Sequence, residues 1–275
     1  MQNAIVTLGG RLEPVLAIRE RGPEGAPRGT VLCLHGYPQS SYMWGSVLEA
    51  AAAAGWRAIA ADLLGFGDSP DDPPHSWERQ VHAVDVLHER LGLGPVVLVM
   101  HDWGGLIGLR WACEHPDAVR ALVASGTGFF ADGKWHGLAR SLRTPGQGEM
   151  LVGTATRESL GALLRSISPS FTEEALDECF KAFGNRERRR GQLELYRSGD
   201  FAKLARYEGC LAGLGVPALL LWGEDDPFAP VAGARRLQRE LPGSRLEIVP
   251  GTSHFVFDDA PEATAAAIAG FLDEL

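Results

Sequence analysis

The sequence predicts an α/β fold with a mostly parallel sheet flanked by helices. Three observations predict it: short apolar runs that suit buried strands, helical spacing between those runs, and one long interval in which the strands stop. The runs are TVLCL (30–34), RAIAA (57–61), PVVLVM (95–100), RALVA (120–124), PALLLW (217–222) and RLEIV (245–249). Each is almost continuously hydrophobic, as strands covered on both faces of a parallel sheet are. Helical stretches fill the gaps at 44–54, 76–91, 104–114, 231–241 and 261–275. Such alternation belongs to a doubly wound domain. The N-terminal residues, up to about Glu20, are expected to form an antiparallel edge.

The rhythm breaks between Ala124 and Pro217, where ESLGALLRSI and TEEALDECFKAFG carry helical apolar spacing and no buried strand appears. NRERRR reads most simply as a solvated helix face. We therefore expect a core made of residues 1–127 and 214–275, with residues 128–213 as an inserted helical lid. A lid over the carboxyl ends of parallel strands encloses a pocket where ligands of open α/β sheets bind.

A chain of 275 residues, 45% of them hydrophobic, suffices for one such domain. Its formal charge of −9 argues against nucleic acid or an anionic membrane as partner, because either rewards a basic face. No apolar run reaches the roughly 20 residues of a bilayer helix, and MQNAIVTLGG lacks the marks of a signal peptide, so a cytoplasmic protein is expected. Cys33, Cys113, Cys179 and Cys210 show no paired spacing and read as reduced, mostly buried thiols. The eight histidines show no HExxH or similar spacing, so neither a metal nor another cofactor is expected.

The chemistry concentrates at VVLVMHDWGGLIGLRWA (96–112), a strand, an abrupt turn and a helix with Asp102 at the apex. Alone, Asp102 reads as a helix N-cap. Three other features change that reading. Asp226 in WGEDDPFAP and His254 in PGTSHFVFDDAPE each follow a strand, and HGYP (35–38) follows TVLCL. The order nucleophile, acid, histidine is that of α/β-hydrolases. Through HGYPQSSYMW, DLLGFGDSP, HDWGG and GTSHFVFDDAPE, the sequence resembles the aspartate-nucleophile branch of that superfamily, which holds epoxide hydrolases and haloalkane dehalogenases. Met100 stands where the serine motif GxSxG has its first glycine, in keeping with HDWGG.

The resemblance implies an α/β-hydrolase fold and a division of labour. A carboxylate is ionised at neutral pH and can displace a leaving group from saturated carbon, leaving an alkyl ester on Asp102. His254, oriented by Asp226, then activates the water that hydrolyses the ester. The amides of Tyr37 and Trp103 are the implied oxyanion donors. The family's spacing from Gly223 selects Asp226, with Asp225 the fallback. The alternative acid position of some dehalogenases, after the preceding strand, reads ASGTG and has no carboxylate. His35 and His101 are expected to make structural hydrogen bonds, whereas His75, His82, His88 and His115 are expected on helical surfaces.

Epoxide and halide differ in what the leaving group needs. Trp103 follows the nucleophile in both families and does not discriminate. Tyr37 stands where one large dehalogenase group has asparagine, which favours an epoxide hydrolase. Tyr196, in ELYRSGD, resembles a lid tyrosine that donates to the epoxide oxygen, although a purely packing role stands level with that one. No tyrosine lies between Tyr42 and Tyr196 to be the other lid donor. His136 in GKWHG is the candidate replacement; Trp135 beside it would instead be a second halide donor, or both only anchor the lid. The resulting expectation is an epoxide hydrolase, with a haloalkane dehalogenase as the alternative and a non-catalytic small-molecule binder behind both. The substrate is a small apolar epoxide or halide, bound by Trp103, Trp135 and Tyr37. A fluoroacetate dehalogenase is disfavoured, because no arginine follows Asp102 to hold a carboxylate.

Overall fold

The computed structural model describes residues 15–275. Chain order is β1 (Ile18–Arg21), β2 (Thr30–Leu34), α1 (Gly45–Ala53), β3 (Arg57–Ala61), α2 (Trp77–Arg90), β4 (Val96–His101), α3 (Trp103–Glu114) and β5 (Val119–Ser125). Then come α4 (Gly137–Arg143), α5 (Gln147–Thr154), α6 (Arg157–Ile167), α7 (Glu173–Phe180), α8 (Arg186–Ser198) and α9 (Cys210–Leu214). The sheet resumes with β6 (Ala218–Gly223), α10 (Val231–Glu240), β7 (Arg245–Val249), α11 (Val256–Asp259) and α12 (Pro261–Asp273). The six predicted strands form within one residue of their expected bounds.

The sheet order is β1-β3-β2-β4-β5-β6-β7. Among the described residues only β1 is antiparallel, pairing with β3 at the edge. The expected N-terminal edge is seen as Ile18–Arg21, and the part before residue 15 lies outside the described residues. The run TVLCL explains why β2 is central. Leu32 and Leu34 face the layer with α2 and α3, while Val31 and Cys33 face the layer with α1 and α12. A strand buried on both faces needs apolar residues at every position.

Helix α3 lies close against β2 because Gly104 has no side chain. A Cβ there would stand 2.1 Å from the Leu34 carbonyl oxygen. This close approach sets the depth of the turn that carries Asp102.

Two expectations fail here. Cys113 and Cys210 are bonded as a disulfide, 97 residues apart in sequence, joining the end of α3 to the start of α9. Linear spacing did not reveal the pair because folding, not sequence proximity, brings the Cα atoms to 5.9 Å. Cys33 and Cys179 are free and buried, as expected. NRERRR is not a uniformly solvated face either. Arg188 donates to the carbonyls of Gly67 and Ser69, and Arg189 to those of Phe183 and Ala155, so two guanidiniums satisfy loop backbone beneath the helix. Among the described residues no helix is long and apolar enough to cross a membrane.

Replacing Gly104 with Ala should lower the melting temperature by several degrees, because backbone has to move to admit the methyl group. Overpacking of this kind costs about 1–3 kcal/mol, and calorimetry gives the check. An unchanged melting temperature would contradict the packing argument.

Candidate active site

Asp102 ends β4 and begins α3 with φ 51° and ψ −117°, the sole non-glycine residue with positive φ among the described residues. Such a conformation is costly for a residue with a Cβ and persists only where its surroundings impose it. They do so here. Thr127 Oγ1 donates to the Asp102 carbonyl at 2.8 Å, and the Tyr37 amide donates to Asp102 Oδ1 at 2.8 Å. The N-cap reading is not what the structure shows, since the Asp102 side chain makes no cap hydrogen bond to α3.

The other carboxylate oxygen, Oδ2, faces His254 Nε2 at 3.7 Å, longer than a hydrogen bond. On the far side of the ring, His254 Nδ1 is 2.8 Å from Asp226 Oδ2. Asp226 Oδ1 accepts from the amides of Phe228 and Ala229, both at 2.8 Å, which fixes the carboxylate. Asp225 is exposed and its amide bonds to Thr252, so Asp226 rather than Asp225 meets the histidine.

Burial disfavours charge on Asp102 and His254, but their mutual attraction and the Asp226 charge outweigh it. The Asp102 carboxyl is held below the usual carboxylate range, and the His254 imidazole is raised above the usual histidine range. The resting pair is therefore carboxylate and imidazolium. Esterification of Oδ2 would remove the Asp102 charge and with it part of what holds the proton on His254.

A cavity of about 310 Å³ opens over this pair, lined by Asp102, His254, Tyr37, Tyr196, His136 and aliphatic side chains of α4, α5 and α6. A second of about 220 Å³ adjoins it, sharing Asp102, His254, Tyr196 and His136 and adding Trp103 and Trp135. All the predicted site residues thus converge. Tyr196 packs edge-on against Tyr37 and Trp103, with ring centroids at 5.1 and 5.4 Å. Trp135 stacks on Trp103 at 5.5 Å. Burial raises the Tyr196 hydroxyl well above its ordinary value, so it stays a proton donor. The Trp103 indole nitrogen is buried with no partner in full hydrogen-bond geometry, the Tyr196 hydroxyl being the polar group beside it.

His136 is the N-cap of α4, where Nδ1 accepts from the Ala139 amide at 3.4 Å. Burial holds it below the ordinary histidine value. A neutral ring accepting through Nδ1 carries its proton on Nε2. The Trp103 amide makes no hydrogen bond to the carboxylate among the described residues; only the Tyr37 amide does.

Other histidines depart from expectation. His35 bonds as predicted, to the Gly36 carbonyl and the Leu63 amide. His101 has neither ring nitrogen in full hydrogen-bond geometry, with the Ser125 carbonyl the polar group beside it. His75 is buried between Asp71 and Glu194 rather than on a helical surface. The sequence reading passed over Phe228, whose ring meets His254 edge-on at 5.1 Å, and Thr127. Both lie close after strands that end at the site, which was the signal available. Among the described residues no group of His, Cys, Asp or Glu could hold a metal ion.

A seven-stranded sheet with a strand-turn-helix aspartate and a histidine and acid on later strand ends defines an α/β-hydrolase. The family model described as alpha/beta hydrolase fold matches residues 29–261, and the chain belongs to that family. It is 32% identical over 269 residues to a haloalkane dehalogenase of Sphingobium indicum, covering 89% of this chain and 88% of that protein. A crystal structure of a putative ancestral haloalkane dehalogenase superposes with a TM-score of 0.83 at 29% identity, covering 96% of each chain. An epoxide hydrolase from Vigna radiata gives 0.78 at 23% identity over 94% of each chain, a likeness of fold.

Replacing Asp226 with Asn should lower the His254 pKa, because the largest attraction raising it disappears. Replacing Asp225 with Asn should leave it in place. Titration of the His254 ring proton by NMR distinguishes the two, and the reverse outcome would reassign the acid.

Proposed function

We propose that this protein is a haloalkane dehalogenase that uses Asp102 as nucleophile and residues 128–213 as a lid over the site. The sequence alone put epoxide opening first. Dehalogenase relatives near 30% identity over about nine-tenths of the chain move the weight to its alternative. The observation that carries the reading is the buried indole N–H of Trp103 beside Asp102, which has no partner in full hydrogen-bond geometry and has the Tyr196 hydroxyl, itself a donor to the cavity, next to it. A buried donor without an acceptor costs free energy, and a departing halide supplies a weak acceptor that needs no proton. The Tyr196 hydroxyl lines the same cavity as a second donor.

The steps follow from the geometry. Asp102 Oδ2 attacks the carbon, the carbon–halogen bond breaks, and halide leaves toward Trp103. Oδ1, already held by the Tyr37 amide, becomes the ester carbonyl oxygen and then the oxyanion when water attacks. His254, which releases its resting proton to solvent once the Asp102 charge is gone, takes a proton from that water and returns it to the departing alkoxide, while Asp226 holds the imidazolium in between. The products are an alcohol, halide and a proton, with Asp102 restored. The aliphatic lining of the lid cavity suits an uncharged, apolar substrate.

A second reading, epoxide opening, is favoured by Tyr196 and by Tyr37 in place of an asparagine. Here the neutral His136 Nε2–H and the Tyr196 hydroxyl would protonate or hold the alkoxide. Parallel assays with 1,2-dibromoethane and styrene oxide, reading bromide and diol, separate the two. We expect bromide release with little diol. Diol formation without bromide would replace the dehalogenase reading with the epoxide one.

Two variants sharpen the test. His254→Gln should release one equivalent of bromide and then stop, with the alkyl group found by mass spectrometry on the peptide containing Asp102. Failure to form the adduct, with substrate bound, would contradict the covalent route. Trp103→Phe should slow bromide release by roughly 10- to 100-fold, since a donor to developing charge contributes on the order of 1–3 kcal/mol. An undiminished rate would remove Trp103 from the role given to it.

A further inference from the structure

His101 is fully buried at the end of β4, one residue before the nucleophile, and its ring lies 4.7 Å from that of His254 at an interplanar angle of 48°. The two rings are pressed together by a third feature. Gly126 has φ 56°, and a Cβ there would stand 2.8 Å from His101 and 3.0 Å from His254, so the chain keeps this position clear. Phe255 and Phe257 close the remaining sides, with ring centroids 6.3 and 5.9 Å from His101.

An apolar ring here would leave no ring nitrogen to be satisfied. Instead the position holds two buried ring nitrogens, neither with a partner in full hydrogen-bond geometry, an arrangement that costs the fold stability. Burial and the neighbouring His254 hold the His101 pKa at about 3, against Asp102, Asp226 and the Ser125 carbonyl, which act the other way. The ring is thus neutral at neutral pH. The Ser125 carbonyl beside the ring favours the N–H on its side, which leaves the other ring nitrogen a lone pair to present to a cation.

We propose that His101 is a positioning residue for His254: a neutral imidazole whose dipole, packed against the His254 ring, stabilises the His254 imidazolium formed when the ester on Asp102 is hydrolysed. This rests on the two-step reading above for its consequence in turnover. Its effect on His254 itself is independent of substrate.

The experiment uses His101→Phe, which keeps the ring and removes both nitrogens, and His101→Gln, which keeps a dipole able to turn. NMR titration should show the His254 pKa falling by roughly one unit in the Phe variant, equivalent to about a tenfold loss of preference for the cation. The burst of bromide should stay within about twofold of wild type, while the later hydrolysis should slow about tenfold and its pH profile should move to lower pH. The Gln variant should recover part of that rate. The Phe variant should melt no lower than wild type. An unchanged His254 pKa in the Phe variant overturns the proposal, as does equal slowing of burst and hydrolysis, which would mark general damage. If the wild type forms no alkyl ester, the two-step reading falls, and the NMR shift still decides the coupling between the rings.

Discussion

The site depends on one backbone constraint, the left-handed turn at Asp102. A residue with φ 51° has to be held there, and the holding groups are distributed through the core. Gly104 lets α3 approach β2, Thr127 from the loop after β5 bonds the Asp102 carbonyl, and the Tyr37 amide from the loop after β2 bonds the carboxylate. Three strand ends therefore meet at one residue. Because Oδ1 is occupied by that amide, Oδ2 is left as the oxygen that faces His254 and the cavity.

Electrostatics then gives the site its order of events. In the resting state two carboxylates flank one imidazolium, an arrangement that burial alone would oppose. Loss of the Asp102 charge on esterification weakens the hold on the His254 proton, so the base is produced by the step that creates its need. A serine in place of Asp102 would carry no such charge. The same argument explains why Asp226 must be fixed by two amides, since it has to hold the ring through both charge states.

Much of this was legible in the residues. Continuous apolar runs gave strands to within one residue, since burial on both faces leaves no room for polar positions. HDWGG, WGEDD and GTSH placed Asp102, Asp226 and His254 because all three follow strands on one sheet edge. What escaped was whatever depends on meetings across the insertion. Cys113 and Cys210 come together only once α9 packs on α3, and Arg188 and Arg189 turn inward only because loops beneath α8 present bare carbonyls. His75 looked like a surface residue until α8 brought Glu194 beside it. The choice between halide and alkoxide was illegible for the same reason: Trp103, Trp135, Tyr196 and His136 come from distant segments, and only folding brings them into one cavity.

The central claim is that the reacting carbon is bonded to Asp102 before water reaches it. A single turnover in water enriched in heavy oxygen, with enzyme in excess over substrate, tests this most directly. The account predicts that the label enters the Asp102 carboxylate and that the first alcohol formed carries ordinary oxygen. Label appearing in the alcohol at that first turnover, with none in the peptide containing Asp102, would contradict it.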